Sequence, residues 1–470
     1  MYYFKRPYII YRDYPEYGYL TDNRNFGYDT ASKSSFKLGD RLLTKSGSVL
    51  YSALTAIPTP LQELLNKVHE LFDGVSMSDL ETDATDFYNE LSKDGFIGQS
   101  DNPHEVVEEH PFSYKNKTPF HLPQENTYIK EDYSNEDWNV EYRLSRIHMN
   151  ISGPCNEHCC HCYFPREYMM KTMSRVQFLD ALEQCRALNV LNITLSGGEP
   201  LLNPDLAFFI SECRENNFSI NILSNLVLLT DELVSEFKKT PLLSVQTSLY
   251  SMDGRIHDSI TNVKGSFEKT VRAIHILWEN NIPVQINCPI MKQNKESYQG
   301  VIEWAKSLNI EAQYDYMLFG CFDNSKKNLE CRLEPKDIRK ILEQDESNIT
   351  RQAHPSDIDN MNTTYSVCPV CVNSLCISYN GDVYPCEGWQ SMVLGNINKI
   401  PLEKLWIESK VISQLRSLTI EDDFPQCAKC NNKDYCSICL IRNANESPTG
   451  DFRETNPYFC EIAKIKKELN

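Results

Sequence analysis

Apolar positions change their period along this chain, and the changes mark out its organisation. The first hundred residues open on short, tyrosine-rich, strand-like runs such as Tyr8-Ile9-Ile10-Tyr11. Two helical patterns follow. Leu61, Leu64, Leu65, Val68, Leu71 and Phe72 share one face before Asp73-Gly74 stops it; Leu80, Ala84, Phe87 and Leu91 share another, ended by Gly95. Strand-like Phe96 and Ile97 come next. Strands, two amphipathic helices and a short strand predict a winged-helix-like unit over 1–105. Residues 106–140 are polar, acidic and punctuated by proline, the pattern of a linker crossing a surface.

From residue 145 the pattern becomes regular. Strand-like segments recur at 146–152, 190–195, 218–223, 242–248, 283–290 and 312–318, with helical patterns between them, as at Ser174–Asn189 and Ser266–Asn280. Ser174 is a natural N-cap, and Pro204 suits a helix's first turn. Repeated β/α units predict an α/β fold with a parallel sheet and outer helices. Eight units close a full barrel; six predict a partial (β/α)6 barrel over 141–345, open on one side. Residues 320–365 are polar and poorly patterned. The segment 346–470 is short-stranded, weakly hydrophobic and cysteine-rich, and so small a core calls for metal.

Composition narrows the function classes. The 470 residues are 41% apolar, enough for several cores. A formal charge of −18 argues against a nucleic-acid partner, which needs a basic surface, and is otherwise read as ordinary solubility. The opening Met1–Arg6 lacks the apolar run of a signal peptide, and no stretch is apolar enough to span a bilayer. The expectation is a soluble, cytoplasmic protein with no membrane partner. In that setting eighteen cysteines, clustered at 155–162, 368–386 and 427–439 with Cys460 trailing, favour metal over disulfides.

The first cluster follows the first barrel strand. Cys155, Cys159 and Cys162 form CxxxCxxC at the barrel face where chemistry is placed. Three thiolates can hold three irons of a cubane and leave the fourth open. The alternative is zinc, with His158 or His161 as a fourth ligand; Cys160 is a spare thiol. Ser196-Gly197-Gly198-Glu199-Pro200 follows the second strand and Ser224-Asn225 ends the third.

Together these strings resemble the radical S-adenosylmethionine (radical SAM) superfamily. The resemblance implies that Cys155, Cys159 and Cys162 hold a catalytic [4Fe–4S] cluster. Gly197, Gly198, Glu199 and Pro200 match the motif that holds the cofactor's methionine amino group, and Ser224, Asn225 and Ser248 are further cofactor contacts. His257-Asp258 and Lys264-Gly265-Ser266-Phe267 extend the match. Two positions depart from it: Tyr250 stands where many relatives have aspartate, and Thr261 where many have an arginine that holds the cofactor carboxylate. The activity implied is reductive cleavage of S-adenosylmethionine to a 5′-deoxyadenosyl radical that takes a hydrogen atom from substrate.

The C-terminal cysteines resemble the SPASM extension of the same superfamily. Cys368 and Cys371 precede Gly381 and Cys386; Cys427-x2-Cys430-x5-Cys436-x2-Cys439 and Cys460 follow, with one residue fewer between the last pair than the pattern has. The resemblance implies two auxiliary [4Fe–4S] clusters, on Cys368, Cys371, Cys386 and Cys439 and on Cys427, Cys430, Cys436 and Cys460, making three in all. Cys376 is an alternative to Cys368 or Cys371. On the residues alone, structural zinc is an equal reading. Cys185, Cys213 and Cys288 fall on predicted helices or strands and are expected to be buried core thiols. Glu387 corresponds to a carboxylate that acts as a base in sulfatase-maturing relatives; a solvated glutamate is the alternative.

The whole layout resembles maturases of ribosomally made peptides, of the thioether-forming sactipeptide and ranthipeptide type. It implies that residues 1–105 take the precursor's leader as an added strand, and that an electron donor such as flavodoxin or ferredoxin serves the first cluster. The expected reaction is a cross-link from cysteine sulfur to carbon. Carbon–carbon cross-linking, epimerisation, formylglycine formation and a non-enzymatic iron–sulfur scaffold are the alternatives.

Overall fold

The computed structural model describes residues 1–31, 38–104, 112–114, 142–165, 170–344 and 367–470. Most of the expected linker, and residues 345–366, lie outside them.

Six strands build the barrel: β7 (Arg146–Ser152), β8 (Asn192–Gly197), β9 (Ser219–Leu223), β10 (Ser244–Ser248), β11 (Val284–Pro289) and β12 (Ala312–Asp315), numbered after six in the N-terminal region. They pair in parallel and in sequence order. Alternation sets their two faces. Ile147, Met149, Ile193, Leu195, Ile220, Ile222, Val245 and Ile286 are buried against the outer helices. Among the intervening residues are His148, Asn150, Thr194, Ser196, Gln246 and Asn287, which leave the interior polar. The helices α4 (Arg175–Ala187), α5 (Leu206–Glu215), α6 (Asp231–Phe237), α7 (Gly254–Thr261), α8 (Ser266–Glu279) and α9 (Tyr298–Ser307) connect them, α7 and α8 together joining β10 to β11, numbered after three earlier ones. Ser174 does cap α4, in a reciprocal capping box with Gln177. The stretch expected to be poorly patterned contains α10 (Pro335–Gln344), whose Ile338, Ile341 and Leu342 are buried; three apolar residues are too few to stand out in its charged sequence.

The sheet does not close. Strand β13 (Ser374–Ser378), from the cysteine-rich segment, pairs in parallel with β7, and β14 (Asp382–Tyr384) and β15 (Gly395–Asn396) continue it antiparallel to nine strands. Beyond β15 the segment is helical rather than short-stranded, over Leu402–Glu408, Lys410–Arg416, Leu440–Glu446 and Pro457–Leu469. Ser409 and Asn456 cap two of these helices. Arg416, stacked between the rings of Tyr142 and Trp406 at 4.2 and 4.1 Å, donates to the Cys371 carbonyl and ties the segment to the barrel's entry.

In the N-terminal region, β1 (Tyr2–Lys5) lies between β5 (Thr59–Pro60) and β6 (Ile97–Ser100) in an antiparallel sheet. The helices α1 (Lys45–Ala53), α2 (Leu61–Val68) and α3 (Met77–Lys93) share a core with it, a winged-helix-like arrangement. Helix α1 is not evident from periodicity; Thr44 caps it by accepting from Gly47 N–H. A second sheet of β2 (Ile9–Asp13), β3 (Gly18–Asp22) and β4 (Arg41–Leu43) packs on the barrel. Arg12, buried, donates through Nε and Nη2 to the Val190 carbonyl and through Nη2 to that of Asn217. Residues 23–30 cross the strands' N-terminal ends: Asn23 Nδ2 donates to Leu242, Asn221 Nδ2 to Phe26, and Tyr28 N–H to Ser244 Oγ. The first hundred residues therefore also floor the barrel.

Candidate active site

The chain leaves β7 at Ser152 and turns outward at the strands' C-terminal ends. Gly153 N–H donates to the Lys171 carbonyl, His158 N–H to that of Thr261 and Cys160 N–H to that of Ile260. Asn262 Nδ2 returns a bond to the His158 carbonyl. The cysteine loop is thus clamped to the end of α7. Cys155, Cys159 and Cys162 line a cavity of about 340 Å³, together with Gly197, Gly198, Glu199, Ser224, Asn225 and Ser248 from the ends of β8, β9 and β10. Pro200 is buried behind them.

The two glycines are required by the protein's own backbone. A Cβ at Gly197, where φ is +136°, would stand 2.0 Å from the Ser152 carbonyl oxygen; one at Gly198 would stand 2.2 Å from that of Gly153. Gly198 N–H donates to Ser152 and Glu199 N–H to Pro154, which joins this turn to the cysteine loop. Glu199 is buried and accepts from Ser224 Oγ at 2.6 Å, Asn225 N–H at 2.8 Å and Leu201 N–H at 3.0 Å. A carboxylate offers about four acceptor positions, so one remains for an ammonium. Burial pushes the Glu199 carboxyl up to about 7. Asn225 Nδ2 donates to Asn156, linking β9 to the same loop.

The donor set suits a metal centre. Burial pushes the Cys155 thiol up to about 12 and the Cys159 thiol well above its ordinary value, with Glu157 and the neighbouring thiols adding to the push on both and Glu199 on Cys155. Thiols in such a setting give up their protons to a strong cation, which an iron–sulfur cluster supplies. Among the described residues no three His, Cys, Asp or Glu side chains converge as a single metal ion requires; the three thiols feel one another's charge without meeting at one point.

Residues 149–305 match the radical SAM superfamily profile, and 368–431 match SPASM, an iron–sulfur cluster-binding domain. This chain is a radical SAM enzyme. It is 25% identical over 339 residues to an AdoMet-dependent heme synthase of Methanosarcina barkeri, covering 66% of this chain and 95% of that one. Among solved structures, Streptococcus suis SuiB bound to its precursor peptide SuiA is similar over 97% of this chain and 99% of its own, at 15% identity and a TM-score of 0.59. The enzyme anSMEcpe with bound AdoMet matches 69% of this chain and 92% of its own, at 17% identity and a TM-score of 0.55. The partial barrel expected from the sequence is the architecture these structures share.

In this radical SAM enzyme the C-terminal thiols fall into distinct groups. Cys427, Cys430, Cys436 and Cys460 act on one another's charge, as do Cys368, Cys371 and Cys439. The Arg442 guanidinium acts on both groups, easing Cys368 and Cys436 downward against burial, which leaves each at about 11. Cys386 instead neighbours Cys376, which lies on β13 and accepts from Asn150 Nδ2. Glu387 accepts from the Cys386 thiol at 3.2 Å, and its charge reaches Tyr28, His148, Tyr163 and Cys376. It therefore faces the barrel interior. Cys185, Cys213 and Cys288 are buried, as their positions predicted.

Several site residues carried no sequence signal. Glu157 is buried beside Cys159 and accepts from its thiol at 3.4 Å; burial pushes its carboxyl up to about 7. Tyr163 and Phe164 continue the cysteine loop; Tyr163 stacks on Phe319 and Phe164 meets Phe322 edge-on, both beyond β12. Only the loop after β12 brings these aromatics together. Tyr28 comes from the N-terminal region and bonds with Thr194 inside the barrel; nothing in its local sequence marks it. Among the described residues no helix is long and apolar enough to cross a membrane.

Proposed function

We propose that this enzyme matures a ribosomally synthesised precursor peptide, installing a cross-link from a cysteine sulfur to carbon. The observation that carries the reading is coverage. SuiB, in complex with its precursor peptide, matches 97% of this chain, whereas anSMEcpe matches 69%, so the likeness to SuiB takes in nearly all of the winged-helix-like region. In this reading Cys155, Cys159 and Cys162 hold the catalytic [4Fe–4S] cluster, and Gly197 to Pro200, Ser224, Asn225 and Ser248 hold S-adenosylmethionine. When bound, the pair supplies a 5′-deoxyadenosyl radical. The protein's part is to orient cofactor and substrate in a cavity walled by Tyr163, Phe164 and Phe319, and to exclude water.

The grouping of Cys427, Cys430, Cys436 and Cys460 supports one auxiliary cluster, and that of Cys368, Cys371 and Cys439 another; Cys386, which lies beside Cys376, is its fourth ligand by the resemblance to SPASM alone. Glu387 is the proposed base, since it faces the interior. The leader peptide adds as a strand beside β6, the outer strand of the β5-β1-β6 sheet, next to α3, and a flavodoxin or ferredoxin delivers the electron.

Iron and acid-labile sulfide after anaerobic reconstitution test the cluster assignment. About twelve irons are expected in the wild type and about eight in the Cys155→Ala/Cys159→Ala/Cys162→Ala variant. Release of 5′-deoxyadenosine under reductant, with loss of two hydrogens from a co-expressed precursor, tests the reaction. A cluster-replete enzyme that releases none refutes it.

A further inference from the structure

Both departures from the radical SAM pattern touch the cysteine loop. Thr261 is fully buried, its hydroxyl 2.7 Å from Ser266 Oγ, and its carbonyl holds His158 N–H. Tyr250 is buried with its hydroxyl 2.9 Å from His161 Nε2 and 3.8 Å from Cys159 Sγ. Its ring packs against His161 and His257, and its carbonyl accepts from Asn294 Nδ2, so the phenol is fixed in place. A phenol has one proton to give and can accept from others. When His161 carries its proton on Nε2 and donates to the phenol, the phenol proton is directed at the Cys159 sulfur. An aspartate at this position, once ionised, has no proton to offer.

We propose that Tyr250 donates a hydrogen bond to the Cys159 thiolate and thereby raises the reduction potential of the catalytic cluster. The inference rests on the assignment of that cluster to Cys155, Cys159 and Cys162. Reduction adds negative charge that spreads onto the thiolate ligands, so a donor to sulfur stabilises the reduced cluster more than the oxidised one. Tyr250 is a positioning and tuning residue, and its contribution is read as a potential rather than a rate.

The test is an EPR-monitored redox titration of the reconstituted full-length enzyme, following the signal that changes when S-adenosylmethionine is added. Tyr250→Phe keeps the ring contacts and removes only the hydroxyl. At the wild-type midpoint the ratio of reduced to oxidised cluster is expected to fall about fivefold, the effect of one ordinary hydrogen bond. For a one-electron couple that is ~40 mV toward lower potential. An unchanged midpoint in a Tyr250→Phe enzyme with wild-type iron content overturns the proposal. If that variant does not retain its cluster, His161→Phe decides. Loss of the donor behind the phenol lowers the potential, by a smaller amount, if the proton points at Cys159; an unchanged or higher potential means the phenol served His161, and the proposal fails. A wild-type enzyme without a cofactor-responsive signal removes the cluster assignment itself, an outcome distinct from an unchanged midpoint.

Discussion

Replacing Gly198 by alanine tests the idea that the cofactor turn and the cysteine loop are one rigid unit. The added Cβ would lie 2.2 Å from the Gly153 oxygen and 2.4 Å from the Pro154 oxygen, both backbone atoms. Restoring an ordinary carbon–oxygen contact needs a retreat of about 1 Å. That retreat stretches Gly198 N–H to Ser152 at 2.6 Å and Glu199 N–H to Pro154 at 2.8 Å. Overpacking of this kind costs roughly 1–3 kcal/mol, and weakening two buried hydrogen bonds adds about 1–2 kcal/mol. The same shift moves Cys155, one residue beyond Pro154, and a misplacement of about 1 Å lowers turnover on the order of 100-fold. Gly74→Ala is the control for backbone strain alone: its φ of +76° disfavours alanine, and nothing lies within 4 Å of the added carbon. Denaturant unfolding, iron content and 5′-deoxyadenosine formation are measured on both. A Gly198→Ala enzyme as stable, iron-replete and active as Gly74→Ala would refute the rigid unit.

Three further outcomes follow from the geometry. Arg12→Ala leaves the buried carbonyl of Val190 and the half-buried one of Asn217 without their Arg12 donor and is expected to cost about 2–4 kcal/mol, read by urea unfolding together with earlier proteolytic cleavage where β2 meets the barrel. Glu199 should make stability fall with rising pH. Below about 4.5 the carboxyl is protonated in both states; between there and about 7 only the unfolded chain releases the proton. The loss amounts to roughly 3 kcal/mol, and Glu199→Gln should flatten that slope in unfolding curves taken across the window. Asp258 accepts from Gly265 N–H, Phe267 N–H and Ser266 Oγ at the start of α8; Asp258→Ala should cost about 1–2 kcal/mol, and an unchanged unfolding midpoint would show that the cap contributes nothing.

Much of the candidate site was legible because its residues are local. Cys155, Cys159 and Cys162 span eight residues, and Gly197 to Pro200 are contiguous, so spacing alone exposes them. The six strands were legible for a related reason: they are short segments of strand-forming residues that recur regularly between helical patterns. Helices α1 and α10 were not. One depends on the Thr44 cap and the other on three apolar residues in a charged stretch, and both draw their stability from what they pack against rather than from their own pattern.

By itself, then, the sequence determined the order of elements and the residue types gathered in each candidate ligand set, since periodicity and side-chain type are properties of short segments. Tertiary structure decided what those segments do to one another. It made residues 23–30 a floor for the barrel, and it joined β13 to β7 so that Cys376 lies across from His148. It aimed Glu387 inward and Tyr250 at Cys159, and it sorted the C-terminal thiols into groups. These relations join residues far apart in the chain, and no local pattern encodes them. They are chosen by which faces must be buried together when the sheet forms.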